Sequence, residues 1–268
     1  MSGTSIPLSD ISAHWKLKDE VVYGPFATRR KGMALGINVL AIGEKFCSFN
    51  CVYCQCGWTR SFDPAKALPE HYLDLRIIES ELDRRFSEIK GTGERADRIV
   101  LSGNGEPTLH PKFNEVCCLL VAARDKHFPN LEIQCLTDGT ELGRAEVVEG
   151  LKLLDRPTFK LDAATPAVLK RVDIPLVDFD LDVFEQRLQS IPKVFLQACF
   201  FRGRIANDMP DHIEAWLERV GRIRPREVEI YSIHRETAAK GLEPVTREWL
   251  EGLAARLKAL HGVDSQVV

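Results

Sequence analysis

Short apolar runs alternate with amphipathic runs along this 268-residue chain, and the alternation limits the folds open to it. Six candidate strands contain several apolar residues each, and most lead into turn or polar residues, as buried strands of a parallel sheet do. They are Ala34–Leu40, Arg98–Ser102, Leu131–Thr137, Thr158–Asp162, Val194–Phe200 and Glu227–Ser232. Alternating β and α elements imply a parallel sheet with right-handed crossovers. Six units predict an α/β fold, a partial (βα)6 TIM-like barrel, with an open Rossmann-like sheet as the alternative.

Four predicted helices carry apolar stripes at three- and four-residue steps. The stripes are Leu73, Ile77, Leu82, Phe86 and Ile89; Val147, Val148, Leu151 and Leu154; Ile213, Trp216, Leu217, Val220 and Ile223; and Trp249, Leu250, Leu253, Leu257 and Leu260. The sequence contains no internal repeat and no Gly/Ser linker. We therefore expect an N-terminal extension over residues 1–33 and a single barrel domain over residues 34–268 that ends in the last helix.

Composition narrows the class of protein further. The net charge is −3 and 44% of residues are hydrophobic, which fits a folded domain but not a dedicated nucleic-acid binder with a basic arm. The densest basic cluster, Arg29-Arg30-Lys31, is too short for such an arm. The first ten residues do not resemble a secretory signal, and no run approaches the about 20 apolar residues that span a membrane. These features predict a cytoplasmic protein whose eight cysteines are thiols or metal ligands rather than disulfides.

Four of the eight cysteines lie within ten residues: Cys47, Cys51, Cys54 and Cys56. The first three form a C-x3-C-x2-C pattern in one loop, where each thiolate could hold one iron of a cubane and leave the fourth iron for a small molecule. Two other interpretations are open. A closed zinc site could use Cys56 as its fourth ligand, although structural zinc ligands usually come as two separated pairs. A redox C-x-x-C motif would not need the upstream cysteine.

Several chemically suggestive residues fall at or just beyond the ends of the predicted strands. In a barrel of this kind the active site lies at the carboxyl ends of the strands. The residues are the cysteine cluster, Gly103–Pro107, Asp138, Asp162, Arg202 and His234. Their common position predicts one site at that end of the barrel.

The cysteine pattern resembles the signature of the radical S-adenosylmethionine (SAM) superfamily, with Tyr53 in its aromatic position. The segment Gly103-Asn104-Gly105-Glu106-Pro107 resembles the superfamily's GGEP-like turn, with Asn104 in place of the second glycine. The resemblance implies that Cys47, Cys51 and Cys54 bind a [4Fe–4S] cluster whose free iron SAM chelates. It also implies that the turn binds the SAM amino group, with Glu106 as acceptor, and that Tyr53 packs near the adenine.

A closer resemblance covers residues 22–257. It is to small uncharacterised radical SAM proteins related to the wyosine-forming, demethylwyosine synthase-like tRNA enzymes. It is carried by Tyr23-Gly24-Pro25, Thr28-Arg29-Arg30, Leu35-Gly36-Ile37-Asn38, Cys51-Val52-Tyr53-Cys54-Gln55, Ser102–His110, Lys160-Leu161-Asp162 and Glu243-Pro244-Val245. Demethylwyosine synthases carry further cysteines upstream for a second cluster, whereas this chain has none before Cys47.

The later strands supply further candidates. Strand alternation directs Lys160 and Asp162 into the barrel, where two charges need each other or a ligand. A contact with SAM or substrate is one possibility, a structural pair another, and a Schiff-base role for Lys160 a third. Thr137 and Asp138 end the third strand, where the resemblance implies SAM contacts and an Asp-Gly turn is the alternative.

Other candidates are less specific. Gln197 alternates with Phe195 and Cys199 and is a cavity candidate, and Arg202, His234 and Arg235 are candidates for binding an anionic substrate, with plain solvent exposure as the alternative. The cysteines outside the cluster, Cys117, Cys118, Cys135 and Cys199, are expected to be small buried hydrophobes.

The sequence therefore predicts a metal-binding oxidoreductase of the radical SAM class. It would cleave SAM reductively to a 5′-deoxyadenosyl radical that abstracts hydrogen from a small molecule, peptide or RNA. An external one-electron donor of the flavodoxin or ferredoxin type is implied. The alternatives are a tRNA-modifying enzyme of the wyosine type and a non-catalytic zinc-binding module.

Overall fold

The computed structural model describes residues 17–28, 32–60, 62 and 69–268. Its strands are β1 (Val22–Ala27), β2 (Met33–Ile37), β3 (Arg98–Leu101), β4 (Glu132–Thr137), β5 (Arg156–Lys160), β6 (Phe195–Gly203), β7 (Glu227–Ser232), β8 (Leu242–Pro244) and β9 (Ser265–Val267). Its α-helices are α1 (Leu75–Thr92), α2 (Phe113–His127), α3 (Ala145–Leu153), α4 (Pro166–Val172), α5 (Leu181–Leu188), α6 (Pro210–Ile223) and α7 (Arg247–His261). The basic cluster Arg29-Arg30-Lys31 and the N-terminal residues 1–16 lie outside the described residues.

The strands follow the order expected of a barrel. β2 to β7 lie side by side in chain order, and each pairs in parallel with the next. A doubly wound sheet would instead reverse its strand order at a switch point. The predicted partial (βα)6 barrel is therefore confirmed, and the open Rossmann-like alternative is wrong. β1 adds antiparallel to β2, so part of the predicted N-terminal extension joins the sheet, and β9 adds in parallel to β7.

The four predicted helices are present as α1, α3, α6 and α7. Leu73 lies before α1 and Leu154 is the C-cap of α3, and two other positions of the predicted stripes are exposed. Ile77 is 50% exposed, because the phase of α1 is set by Ile78, which is fully buried. Leu260 is 57% exposed, because it lies in the last turn of α7, next to the C-cap Gly262. Helix α2 was not predicted, since its apolar residues run together from 116 to 123 and show no clear period.

Local signals explain where the main helices begin. Asp74 caps α1 by accepting a hydrogen bond from the backbone N–H of Arg76, and Thr246 caps α7 by accepting one from Trp249. In the described part of the chain every helix is too short or too polar to cross a lipid bilayer.

Candidate functional site

A cavity of about 270 Å³ opens at the carboxyl ends of the central strands. Strand side chains alternate between core and cavity, so every second residue reaches its floor: Leu136 on β4, Lys160 on β5, Gln197 and Cys199 on β6, and Tyr231 on β7. The strand register places Lys160 opposite Gln197 and Cys199 opposite Tyr231. The cavity therefore lies where the sequence analysis predicts the site.

The cysteine loop, residues 45–59, forms one wall of this cavity and is held from both sides by backbone hydrogen bonds. Phe46 makes two with the turn after β3, of 2.8 and 3.1 Å. Val52 donates to the carbonyl of Val172 at 2.9 Å and accepts from Ala239 at 2.8 Å. A loop held near its start and at its middle presents its cysteines in one arrangement.

Of the four cysteines in this loop, Cys47, Cys51 and Cys54 line the cavity. Cys56 points away and donates from its Sγ to the carbonyl of Gly103 at 3.4 Å. Burial raises the pKa of Cys47 and of Cys51 well above the ordinary thiol value. The neighbouring Cys56 side chain holds the pKa of Cys54 well below that value. The loop thus presents three sulfurs to the cavity and keeps the fourth behind them.

The three cavity-facing thiols fit an iron–sulfur cluster. Thiolates are the ligands that such clusters prefer, and three around one cavity leave one metal corner open to a non-protein ligand. Among the described residues no three His, Cys, Asp or Glu side chains already converge as ligands of one ion. The assignment of Cys47, Cys51 and Cys54 as ligands stays a prediction.

The Gly103–Pro107 segment forms the turn that holds the cysteine loop, but its residues do different things. Glycine is required at 105: φ is +149°, and a Cβ there would lie 1.7 Å from the carbonyl oxygen of Phe46. The Asn104 side chain is fully buried and bonds to backbone groups of Lys18 and Ala41. Gly105 and Glu106 reach the cavity; Pro107 begins a short 3-10 turn.

Glu106 is buried, and several protein donors share its carboxylate. Oε1 accepts from the hydroxyl of Thr137 at 2.7 Å and from the backbone of Thr108 at 3.0 Å, and Oε2 accepts from the backbone of Asp138 at 2.7 Å. Burial, with the nearby Asp138, raises the pKa of Glu106 well above its ordinary value. A cationic group entering the cavity would favour the ionised form of this carboxylate.

Asp138 also lines the cavity, and its side chain closes the Asp-Gly turn that the sequence predicted as the alternative. Oδ1 accepts from the backbone of Thr140 at 3.0 Å, and Oδ2 accepts from the hydroxyl of Ser48 at 2.6 Å. Burial raises the pKa of Asp138. The Ser48 contact ties the end of β4 to the cysteine loop.

Lys160 contacts two carboxylates rather than one. Its Nζ pairs with Asp162 and with Asp173, the residue that follows α4. Asp162 also accepts a hydrogen bond of 2.5 Å from the Tyr53 hydroxyl, and its Oδ1 accepts from the backbone of Cys199 at 2.7 Å. Burial opposes the charge on Lys160, but the two carboxylates outweigh it and its pKa lies well above the ordinary value. Asp162 is thus placed beneath Tyr53 and Lys160 and does not line the cavity.

Lys160 carries one positive charge but contacts two carboxylates, so one carboxylate is in excess. The stability of the fold should therefore depend on pH. Burial raises the pKa of Asp173 from 3.8 to about 7. The folded chain therefore binds this proton more tightly than the unfolded chain, and the stabilisation is full below pH about 4 and is lost as pH rises through 7. Relative to Asp173→Asn, the metal-free chain should lose about 2 kcal/mol of unfolding free energy between pH 5 and 7. Urea denaturation of both proteins across that range checks this; parallel curves would contradict it.

Cys199 and Tyr231 are among the cavity residues that the sequence analysis missed. Cys199 was expected to be a small buried hydrophobe, and it is fully buried, but it also lines the cavity together with Tyr231. The alternation that placed Gln197 in the cavity would have placed Cys199 there too. Tyr231 follows the same rule on β7.

The three candidates for anion binding divide into two groups. His234 and Arg235, in the loop after β7, line the cavity, and Arg235 donates to the side chain of Gln55 at 3.3 Å. Arg202 instead pairs with Asp208 at 3.1 Å, and 42% of its side chain is exposed. Arg202 is not among the residues that line the cavity.

Comparison with known proteins identifies the class. The family profile described as "Radical SAM superfamily" matches residues 44–215, more than half of the chain. The chain therefore belongs to the radical SAM superfamily and is an enzyme of that class. Membership implies SAM and a [4Fe–4S] cluster as cofactors.

Individual relatives place it more narrowly. It is 30% identical over 232 residues to UPF0026 protein slr1464 of Synechocystis, covering 86% of this chain and 79% of that protein. It is 24% identical over 225 residues to a UPF0026 protein of Helicobacter pylori strain J99, covering 82% of this chain and 68% of that protein. It is also 28% identical over 255 residues to a protein named GTPase Obg in Brachyspira hyodysenteriae. That match covers 94% of this chain but only 35% of the longer protein.

Solved structures share the fold at low sequence identity. The SAM-bound SuiB of Streptococcus suis matches with a TM-score of 0.59 at 12% identity, over 84% of this chain and 48% of SuiB. A radical SAM methyltransferase from Sphaerobacter thermophilus matches with a TM-score of 0.57 at 14% identity, over 91% of this chain and 71% of that one. At these identities the likeness concerns the fold alone.

Proposed function

We propose that Cys47, Cys51 and Cys54 hold a [4Fe–4S] cluster, that SAM binds beside it in the cavity, and that the enzyme abstracts a hydrogen atom from its substrate. One observation carries the proposal: the three thiols of the C-x3-C-x2-C loop open into the same cavity as Glu106 and Gln197. When bound, the two cofactors supply hydrogen-atom abstraction from an otherwise unreactive C–H bond.

The protein's own groups would bind and orient SAM. Glu106 presents a buried carboxylate, suited to an ammonium, at the edge of the cysteine loop. Gly105 allows the backbone of that turn to approach the loop closely. Thr137, Asp138 and Gln197 offer hydroxyl, carboxylate and amide groups to the rest of the molecule.

Lys160 would position its neighbours rather than act as a nucleophile. A Schiff-base lysine needs a neutral amine, whereas the two carboxylates beside Lys160 favour its protonated form. Its charge would hold Asp162, which in turn holds the hydroxyl of Tyr53. The Tyr53 ring would then stand in a fixed orientation at the cavity wall, next to the adenine.

The substrate would enter past the loop after β7. His234 and Arg235 line that side of the cavity and suit a substrate with an anionic group. A small molecule, a peptide or an RNA could carry that group. The electron would come from an external donor of the flavodoxin or ferredoxin type.

The proposal predicts a specific product. After anaerobic reconstitution with iron and sulfide, the protein should be brown and hold about four irons per chain. With SAM and dithionite it should form 5′-deoxyadenosine, measured by chromatography against a control without reductant.

Each alternative gives a different result in the same preparations. A colourless, air-stable protein with one zinc per chain would support the zinc-binding module and contradict the proposal. Salt-sensitive binding of tRNA by the reconstituted protein would favour the tRNA-modifying alternative, since phosphate contacts weaken as salt rises.

A further inference from the structure

Lys45, the first residue of the cysteine loop, carries a buried ammonium that lies outside the cavity lining. The residue is only 7% exposed. Its Nζ donates to the carbonyl of Phe49 at 3.2 Å and to that of Gly57 at 3.1 Å. Both hydrogen bonds are therefore directed at carbonyls of the cysteine loop itself.

Two features of Lys45 indicate that a negatively charged group binds next to it. Among the described residues, no carboxylate forms an ion pair with Lys45, whereas the other lysine of the site, Lys160, has two such partners. Burying an ammonium without a counter-charge is strongly unfavourable. The loop whose carbonyls it bonds carries the four thiols Cys47, Cys51, Cys54 and Cys56. Negative charge on those sulfurs and on a cluster bound to them would supply the missing partner.

We propose that Lys45 is a positioning residue for the cluster, and that its buried charge raises the reduction potential of the cluster. This inference rests on the proposed function. Net charge is among the factors that set cluster potentials. Adding an electron makes the cluster more negative, so a nearby fixed positive charge favours the reduced form. A donor of the flavodoxin or ferredoxin type would then reduce the cluster more completely.

A purely structural role makes a different prediction. If Lys45 only ties the loop together through the carbonyls of Phe49 and Gly57, any donor of suitable size should replace it, and the potential should not depend on charge. Lys45→Gln keeps an N–H donor without the charge, Lys45→Arg keeps the charge, and Lys45→Met removes both. These three variants therefore separate charge from shape.

The test is a redox titration of the reconstituted full-length protein without SAM. Electron paramagnetic resonance measures the reduced cluster at each potential, and the iron content of each sample is determined. Lys45→Met and Lys45→Gln should shift the one-electron equilibrium at least tenfold toward the oxidised cluster, which is 59 mV. Lys45→Arg should stay near the wild-type value. Lys152→Met makes the same change in net charge at a partly exposed lysine on α3 that pairs with Glu149, and it should leave the potential unchanged.

The possible outcomes separate this inference from the proposed function. If the wild type holds no four-iron cluster, the proposed function fails. If it holds one and either neutral variant keeps its iron with an unchanged potential, the role of Lys45 is overturned. Equal loss of iron in the Met, Gln and Arg variants also overturns it, because the loop then depends on the shape of lysine. Loss of iron in both neutral variants, with the Arg variant intact, supports it.

Discussion

Replacing Cys47, Cys51 or Cys54 by alanine is expected to abolish the cluster and the formation of 5′-deoxyadenosine. Each thiol lines the cavity, and a cluster held by three protein ligands has none to spare. Iron should fall from about four per chain to about one or fewer. Product formation should fall by more than about 100-fold, since even outer-shell partners of a metal contribute 10–100-fold. Iron assay, the visible spectrum and product chromatography measure the three effects.

Cys56 provides the matched control within the same loop. Its sulfur bonds to the carbonyl of Gly103 and does not line the cavity, so Cys56→Ala should keep its iron and its colour. Cys118 is a second control outside the site; the expectation that it is buried was wrong, because it lies on the exposed face of α2. If Cys56→Ala loses as much metal as the other three variants, four cysteines hold the metal and the closed zinc site becomes the better interpretation. Full iron content in the alanine variant of Cys47, Cys51 or Cys54 would contradict the assignment of these three residues as cluster ligands.

Gly105→Ala is expected to destabilise the fold and to impair the cluster at the same time. The new Cβ would lie 1.7 Å from the backbone carbonyl of Phe46, and the backbone has a φ that alanine rarely adopts. Relief requires the loop and the turn to move apart, which breaks the two hydrogen bonds between Phe46 and the turn. The unfolding free energy should drop by about 3 kcal/mol or more. Since Phe46 directly precedes Cys47, bound iron should fall with it.

Gly252→Ala is the control for this substitution. Gly252 lies inside α7, and no described atom comes within 4 Å of a Cβ built there. Alanine favours helix more than glycine, so this variant should be unchanged or up to about 1 kcal/mol more stable, with normal iron content. Urea denaturation and an iron assay on both variants give the comparison. A Gly105→Ala protein as stable as wild type would show that the turn and the loop are not in close contact.

The Lys45 substitutions add a different kind of information. The cysteine and glycine variants ask whether the cluster is present, whereas the potential of a Lys45 variant asks what the surrounding protein does to it. Lys45 and Lys160 are both buried, but Lys160 is matched by two carboxylates of its own. The contrast makes Lys45 the residue whose charge is directed at the cysteine loop.

Local patterns in the sequence were sufficient for the main elements of the fold. A strand's side chains alternate and a helix's apolar residues recur every three or four positions, so β2 to β7 and four helices could be predicted from single segments. The same alternation correctly placed Lys160 and Gln197 in the cavity, but it was wrong for Asp162, which lies beneath Lys160 and Tyr53. The helical period was less informative for α2, whose apolar residues are continuous, and for Ile77, because packing sets the phase of α1.

The partners of the site residues could not be predicted in this way. Asp173 follows α4 and meets Lys160 only because the chain between β5 and β6 folds back over the cysteine loop. Ser48 and Asp138 are 90 residues apart and share a hydrogen bond. Such contacts depend on how whole elements pack, and no short window of sequence contains that information.

The three thiols with C-x3-C-x2-C spacing, and their place in a loop at the carboxyl end of a parallel sheet, could be predicted from the sequence, because spacing and alternation are local properties of the chain. The groups around those thiols depend on the tertiary fold: Lys45 and Cys56 outside the cavity lining, and Cys199 and Tyr231 at the cavity floor. Those positions arise from the register between neighbouring strands and from the packing of the loop against residues far away in the chain.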